Sequence, residues 1–281
     1  MTRSLTLALT LLAMIAFAGN SLLCRLALKD TGIDAASFTA IRLLSGAIVL
    51  WLIVRLRHRT VHGAGNWPSA VALFVYAAGF SYAYLSLPAS TGALLLFGAV
   101  QATMIGYGLW RGERLRRRQT IGVGAALAGL VGLLLPGLSA PPVVGASLML
   151  AAGVAWGVYS LRGKGGGDAT AVTAGNFLRS APLALVLGVL ALPALSLDRA
   201  GVIYAIASGA LASGVGYAIW YTALRGLNAT SAASVQLSVP VLAAIGGLIF
   251  LGEVITPRLL WCSLAILGGI GLVIFDRRPA K

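Results

Sequence analysis

Two glutamines stand inside long apolar runs, where a polar side chain is costly. Gln101 lies within residues 89–110 and Gln236 within 230–251. Pro240 has no N–H to give to the Gln236 carbonyl four residues back, so that oxygen is freed and a kink is expected there. A freed carbonyl beside a carboxamide can bond an ammonium or hydroxyl group of a ligand. Both glutamines can equally bond neighbouring helices. Asn20 and Asn176 sit inside two further apolar runs and carry the same pair of readings, cavity wall or helix-to-helix glue. Aromatic residues recur at helical spacing: Tyr76, Phe80 and Tyr84; Tyr217, Trp220 and Tyr221; Phe97 one turn before Gln101; Trp156 with Tyr159. Such stripes commonly pack or anchor at the membrane interface, where position puts Tyr84, Trp110 and Tyr204. Rings facing one another across a cavity would instead suit apolar or aromatic ligands. The candidate substrate-binding set is therefore Asn20, Phe80, Tyr82, Phe97, Gln101, Trp156, Tyr159, Tyr217, Tyr221 and Gln236, with Pro240 as a hinge.

Other chemistries find no residues to carry them. All seven acids (Asp30, Asp34, Glu113, Asp168, Asp198, Glu253, Asp276) fall in loops or at helix ends, none in mid-span where a proton or sodium site would place a carboxylate. This pattern predicts a facilitative carrier without an embedded proton carboxylate. His58 and His62 share one loop. Paired carboxylates, a Cys/His grouping and a phosphate-binding glycine motif are all absent from the sequence, so neither an intramembrane enzyme nor ATP hydrolysis is expected, and no metal or cofactor. Cys24 and Cys262 show no ligand spacing, and no disulfide between them is expected. Arg42 and Arg179 are cations within apolar runs. With no acid nearby in a span, snorkelling to the interface is the favoured reading for both, and a substrate carboxylate the other.

The elements that must position these groups follow from composition. The chain has 281 residues, 59% hydrophobic and 10% charged, with a mean hydropathy of +0.93. A soluble domain carries about 25% charged residues, so there is little water-facing surface here. Thirty-six glycines suit close packing of helices in lipid. The net charge of +14 does not point to nucleic acid, because the basic residues sit in short breaks between apolar runs. About 20 apolar residues cross a bilayer. Ten such spans are expected at roughly 5–27, 35–55, 67–86, 89–110, 119–135, 142–161, 170–192, 200–224, 230–251 and 257–275. Pro88, Pro136, Pro141, Pro142, Gly165–Gly167 and Pro257 punctuate them. The first run is read as a retained helix rather than a signal peptide. With the N-terminus inside, 15 of the 21 Lys and Arg residues fall in inner segments and four in outer ones. Both termini are therefore expected in the cytoplasm of a bacterial-type inner membrane.

The sequence also repeats itself. Leu87–Glu113 matches Leu227–Glu253 at a constant shift of 140 without a gap, with identity at seven of 27 positions, and both copies end in Gly-Glu. Ala126 to Leu134 pairs more weakly with Ala265 to Val273. The fold class expected is an all-α membrane protein of ten transmembrane helices, built as two five-helix repeats at 1–137 and 138–281. Five is odd, so the second unit must enter the membrane from the opposite side. Inverted repeats of this kind allow a site between the halves to face each side in turn.

The five-plus-five layout, with Leu227-Asn228-Ala229-Thr230-Ser231-Ala232-Ala233, Pro240, Leu251-Gly252-Glu253 and Trp156-Gly157, resembles the drug/metabolite transporter superfamily, specifically its ten-helix EamA-type members, and more loosely YddG-type amino-acid exporters. The first unit departs from the pattern: Ala18-Gly19 replaces Trp-Gly, Val100 stands where Pro240 stands in the second unit, and Arg111-Gly112-Glu113 replaces Leu-Gly-Glu. The resemblance implies export of amino acids, aromatic ones included, or of similar small amphipathic metabolites by alternating access. Efflux of organic cations or drugs is the alternative, which the absence of a midplane acid disfavours. The partners implied are a small-molecule substrate and the lipid bilayer, without nucleic acid or ATP, for a monomer or weak oligomer.

Overall fold

The computed structural model describes residues 2–57, 61, 63–112, 114–137, 140–163, 168–227, 232 and 235–275. His58, His62, Glu113 and most of the stretch from Leu227 to Ala233 lie outside them. Among the described residues there are ten α-helices: α1 Arg3–Asp30, α2 Ala35–Leu56, α3 Trp67–Tyr84, α4 Ala89–Trp110, α5 Arg117–Leu134, α6 Val143–Arg162, α7 Ala169–Leu190, α8 Arg199–Leu224, α9 Ser238–Leu251 and α10 Pro257–Phe275. Seven are individually long and apolar enough to cross a membrane. The others are α3 and α5, of 18 residues each, and α9, with 14. Large apolar side chains such as Leu248, Ile249, Phe250 and Phe275 cover the outside, as suits a surface solvated by lipid.

Polar residues start the helices. Asp34 caps α2 by accepting from Ser37 N–H at 2.9 Å, Asn66 caps α3 through Ser69 N–H at 2.9 Å, and Asp168 and Asp198 do the same for α7 and α8. Capping occupies three of the seven acids, which is why they lie at helix ends. Proline starts others: Pro88 and Pro142 immediately precede α4 and α6, and Pro257 opens α10.

The packing has an internal two-fold logic. Helix α1 packs against α8 and α9, just as α6 packs against α3 and α4. The self-related pairs α2–α7, α4–α9 and α5–α10 also meet. Exchanging α1–α5 with α6–α10 maps this pattern onto itself. Contacts at the helix ends give the sense of each helix. Arg25, near the end of α1, donates to the Tyr84 carbonyl at the end of α3 at 2.7 Å, and Asp34 before α2 accepts from Ser196 N–H before α8 at 3.0 Å. Both belong to one face. On the other, Asn66 before α3 and Gln119 at the start of α5 bond Asn176 of α7 and the Val273 carbonyl near the end of α10, at 2.9 and 3.2 Å. Successive helices alternate, so α6 starts on the face opposite to α1 and the second unit is inverted.

Glycine sets the closest approaches. A Cβ on Gly122 of α5 would meet the Gly269 carbonyl of α10, and one on Gly269 would meet the Gly122 carbonyl. In α8, residues Ala207–Val215 wind as a π-helix. At its start Gly209 lies against the Arg42 carbonyl and the Ser45 hydroxyl of α2, where no Cβ fits.

Candidate substrate chamber

Five helices, drawn from both units, converge on a small central cavity. Its walls include Asn20 of α1, Tyr76 and Phe80 of α3, Phe97 of α4, Trp156 of α6 and Tyr217 of α8, with Gln236 just ahead of α9. The space between them is about 30 Å³, room for a water or two. Trp156 is the centre of the aromatic wall. It stacks on Tyr217 at 5.4 Å and 20° and on Tyr159 at 5.2 Å and 22°, and it tilts against Tyr76 at 4.7 Å.

Two polar networks flank this wall. Behind Asn20, its Oδ1 accepts from Ser208 Oγ of the π-helical segment at 2.6 Å, and its Nδ2 donates to the Tyr76 hydroxyl at 3.4 Å. On the other side, the Tyr159 hydroxyl donates to Thr173 Oγ1 at 3.4 Å, and Thr173 in turn donates to the Tyr221 hydroxyl at 3.1 Å.

Six of the ten residues expected at the site line this cavity: Asn20, Phe80, Phe97, Trp156, Tyr217 and Gln236. Tyr159 and Tyr221 form a layer behind Trp156 and Tyr217. Gln101 does not reach the chamber. It is buried and lines a second cavity of about 190 Å³ between α4, α5 and α10 whose other walls are aliphatic and glycine. Tyr82 is half-buried and packs on the core away from both cavities. Gln236 donates to the Ala232 carbonyl at 3.4 Å, and the helix is interrupted at Leu237, three residues ahead of Pro240, where a kink was expected.

Arg42 does not snorkel. It lies eight residues after the Asp34 cap, about 10 Å into α2, and is 2% exposed. Its Nη2 donates to the Tyr76 hydroxyl at 3.0 Å, and its guanidinium lies 4.8 Å from the Phe80 ring centre and 5.3 Å from that of Tyr76. Nη1 is buried with no partner among the described residues. The bond to Tyr76 and the two ring contacts, all from α3, hold the side chain inside the bundle. Placing arginine in mid-membrane costs about 2.5–3.5 kcal/mol, and two desolvated cation–π contacts offset part of it. Arg179, in contrast, is half-buried and reaches back along α7 to the helix-end connection, as snorkelling would have it. It donates to the Ala64 carbonyl of the α2–α3 connection and to Gly175 O of its own helix at 3.0 Å. Asn176 accepts from Asn66 N–H at 2.9 Å and so acts as glue. Tyr84 is fully buried rather than interfacial, because the turn at Pro88 brings Gly92 against its ring. Trp110 is 80% exposed, as an interfacial residue should be.

Sequence reasoning passed over Phe17, which packs against Tyr217 and Trp220 at 5.6 and 5.9 Å. It also passed over Ser208 and treated Glu253 only as a helix end. Glu253 accepts from Ala89 N–H at 2.6 Å and from Ser90 at 3.3 Å, and lies 4.0 Å from Arg25. It thereby ties the two units together near the C-terminal end of α1.

Residues 4–135 and again 143–275 match the EamA-like transporter family. The chain belongs to that family. Each match to the EamA-like transporters spans one five-helix unit, in keeping with the duplicated packing. The chain is 61% identical over 273 residues to the uncharacterized protein PA1977 of Pseudomonas aeruginosa, covering 97% of this chain and 95% of that one. It is also similar to a protein solved by crystallography, at 22% identity and a TM-score of 0.68 over 99% of this chain and 100% of the other, a likeness of fold alone. A multi-pass membrane transporter of small metabolites is what membership and architecture together establish.

Proposed function

We propose that this EamA-like transporter exports amino acids, aromatic ones included, or similar small amphipathic metabolites across a bacterial inner membrane by alternating access between units 1–137 and 138–281. The observation that carries this reading is the chamber itself. Stacked rings and a few amide and hydroxyl groups, contributed by both units, surround a space at the centre of the bundle. Rings bind flat or apolar bodies, and sparse polar groups fix their orientation. At about 30 Å³ the chamber is too small for any amino acid, so loading requires the units to part. That fits a carrier cycle rather than an open pore.

The distribution of Lys and Arg supports cytoplasmic termini, which puts the Arg25–Glu253 contact on the outer side. A fluorescent protein fused to the C-terminus should mature and fluoresce in cells; a dark, exported fusion would reverse the orientation. The function is tested with purified protein in liposomes, comparing flux of phenylalanine, leucine and alanine with that of ethidium and tetraphenylphosphonium. Amino-acid flux above protein-free vesicles is expected. Flux of the two cations alone would overturn the reading.

A further inference from the structure

The chamber wall carries one full positive charge and, among the described residues, no negative charge to balance it. Arg42 stands directly behind Tyr76 and Phe80, both of which face the cavity. One salt bridge exists among the described residues, Arg25 with Glu253, and it involves neither Arg42 nor any chamber residue. The Tyr76 hydroxyl makes the charge usable. Its oxygen accepts from Arg42 Nη2 at 3.0 Å and from Asn20 Nδ2 at 3.4 Å. A phenolic oxygen has two lone pairs and one proton. Both lone pairs are occupied, and no described residue accepts the proton. The free hydrogen-bonding capacity at this wall is therefore a donor, backed by a guanidinium that also has an unused, buried N–H group at Nη1. A group complementary to it accepts hydrogen bonds only and bears negative charge. Gln236 lines the same cavity, and Pro240 cannot supply a donor to its carbonyl, which leaves an acceptor free there.

We infer that the transported molecule carries a carboxylate, which docks on the Tyr76 hydroxyl with Arg42 as its counter-charge. This inference rests on the chamber being the substrate site, and it narrows the substrates to carboxylates with an apolar body that lies along Trp156 and Phe97. In an amino acid the ammonium group would face the Gln236 side. A simple organic cation would meet a proton donor and a positive charge at the Tyr76 wall, in a medium where charges are weakly screened.

The experiment is calorimetric binding to the full-length protein in nanodiscs with three probes of one shape: L-phenylalanine, 3-phenylpropanoate and 2-phenylethylamine. The two carboxylates should bind, and the amine should bind about tenfold more weakly or worse. Arg42→Gln should weaken both carboxylates about tenfold or more and leave the amine unchanged or tighter. Should Arg42→Gln fail to fold, Tyr76→Phe, which removes the donor and keeps the ring, must shift the carboxylate-to-amine preference in the same direction. An amine that binds as tightly as phenylalanine, or folded variants that keep the wild-type preference, would overturn the carboxylate assignment and leave the chamber standing. Binding of none of the three by the wild-type protein would overturn the chamber reading, and this inference with it.

Discussion

Glu253, just past the end of α9, accepts the first free N–H of α4 from Ala89 at 2.6 Å. The second unit thereby caps a helix of the first, with a negative charge at the positive end of the α4 dipole. Arg25 of α1 lies 4.0 Å away, and its own bonds run to the carbonyls of Tyr84 and Leu85, so four helices are tied at one point. Glu253→Ala should lower stability by about 1–2 kcal/mol and loosen that side of the chamber. In a protein lacking native cysteines, a cysteine introduced at Leu96, which lines the chamber, should react several-fold faster with an impermeant maleimide applied from that face. An unchanged rate would remove this contact from the gate.

Trp156 touches Tyr76, Tyr159 and Tyr217 at once. Trp156→Ala leaves the stack without its middle member and should reduce flux about tenfold or more, with a stability loss of about 3 kcal/mol. Trp156→Phe should recover most of the stability and part of the flux. Liposome flux and thermal unfolding in detergent measure the two effects separately.

The asparagines should separate by phenotype. Asn176 holds the backbone N–H of Asn66 and the Tyr159 hydroxyl, so Asn176→Ala should cost about 1–3 kcal/mol with little change in substrate preference. Asn20 lines the chamber and bonds Tyr76, so Asn20→Ala should alter ligand affinity. Binding and unfolding measured on both variants decide this.

Asp34 predicts an acid limb. Partial burial pushes its carboxyl pKa up, but hydrogen bonds from Ser37, from Ser196 and from the Ala36 backbone outweigh that and hold it below its ordinary 3.8. A carboxyl depressed in the folded state stabilises at higher pH, and the contribution is lost as pH falls through the folded value. Stability should therefore decline below about pH 4, and Asp34→Asn, which keeps the cap, should flatten that part of the profile in unfolding measured against pH.

Gly209 leaves room for the Arg42 carbonyl where α8 is π-wound. Gly209→Ala should separate α2 from α8 and cost about 1–3 kcal/mol, seen as a lower Tm. An unchanged Tm would mean that the π-turn absorbs the methyl group.

The helices, their number and the inversion were legible because each depends on local signals: apolar run length, proline and aspartate at the starts, and an odd count per unit. Asn20, Trp156 and Gln236 could be found because polar or large aromatic residues stand out against aliphatic neighbours. What could not be read was depth and rotation. Gln101 and Phe97 are one turn apart, yet they face different cavities. Arg42 looked able to reach the interface because what holds its side chain, the Tyr76 hydroxyl and the Phe80 ring, comes from another helix, α3. The π-winding at Ala207–Val215 leaves no periodic mark, since its alanines, glycines and serines have no strong preference for any face.

The buried arginine also has an electrical meaning. A lone guanidinium between two aqueous phases sits within the transmembrane voltage, which acts on a unit charge by about 2.3 kcal/mol per 100 mV over the full thickness. With a simple carboxylate docked, the charge at that point would fall to zero; with a zwitterionic amino acid it would stay at +1. If Arg42 moves through the field during the cycle, only transport of the simple carboxylate would leave the empty return stroke as the half on which the cell's membrane potential does work.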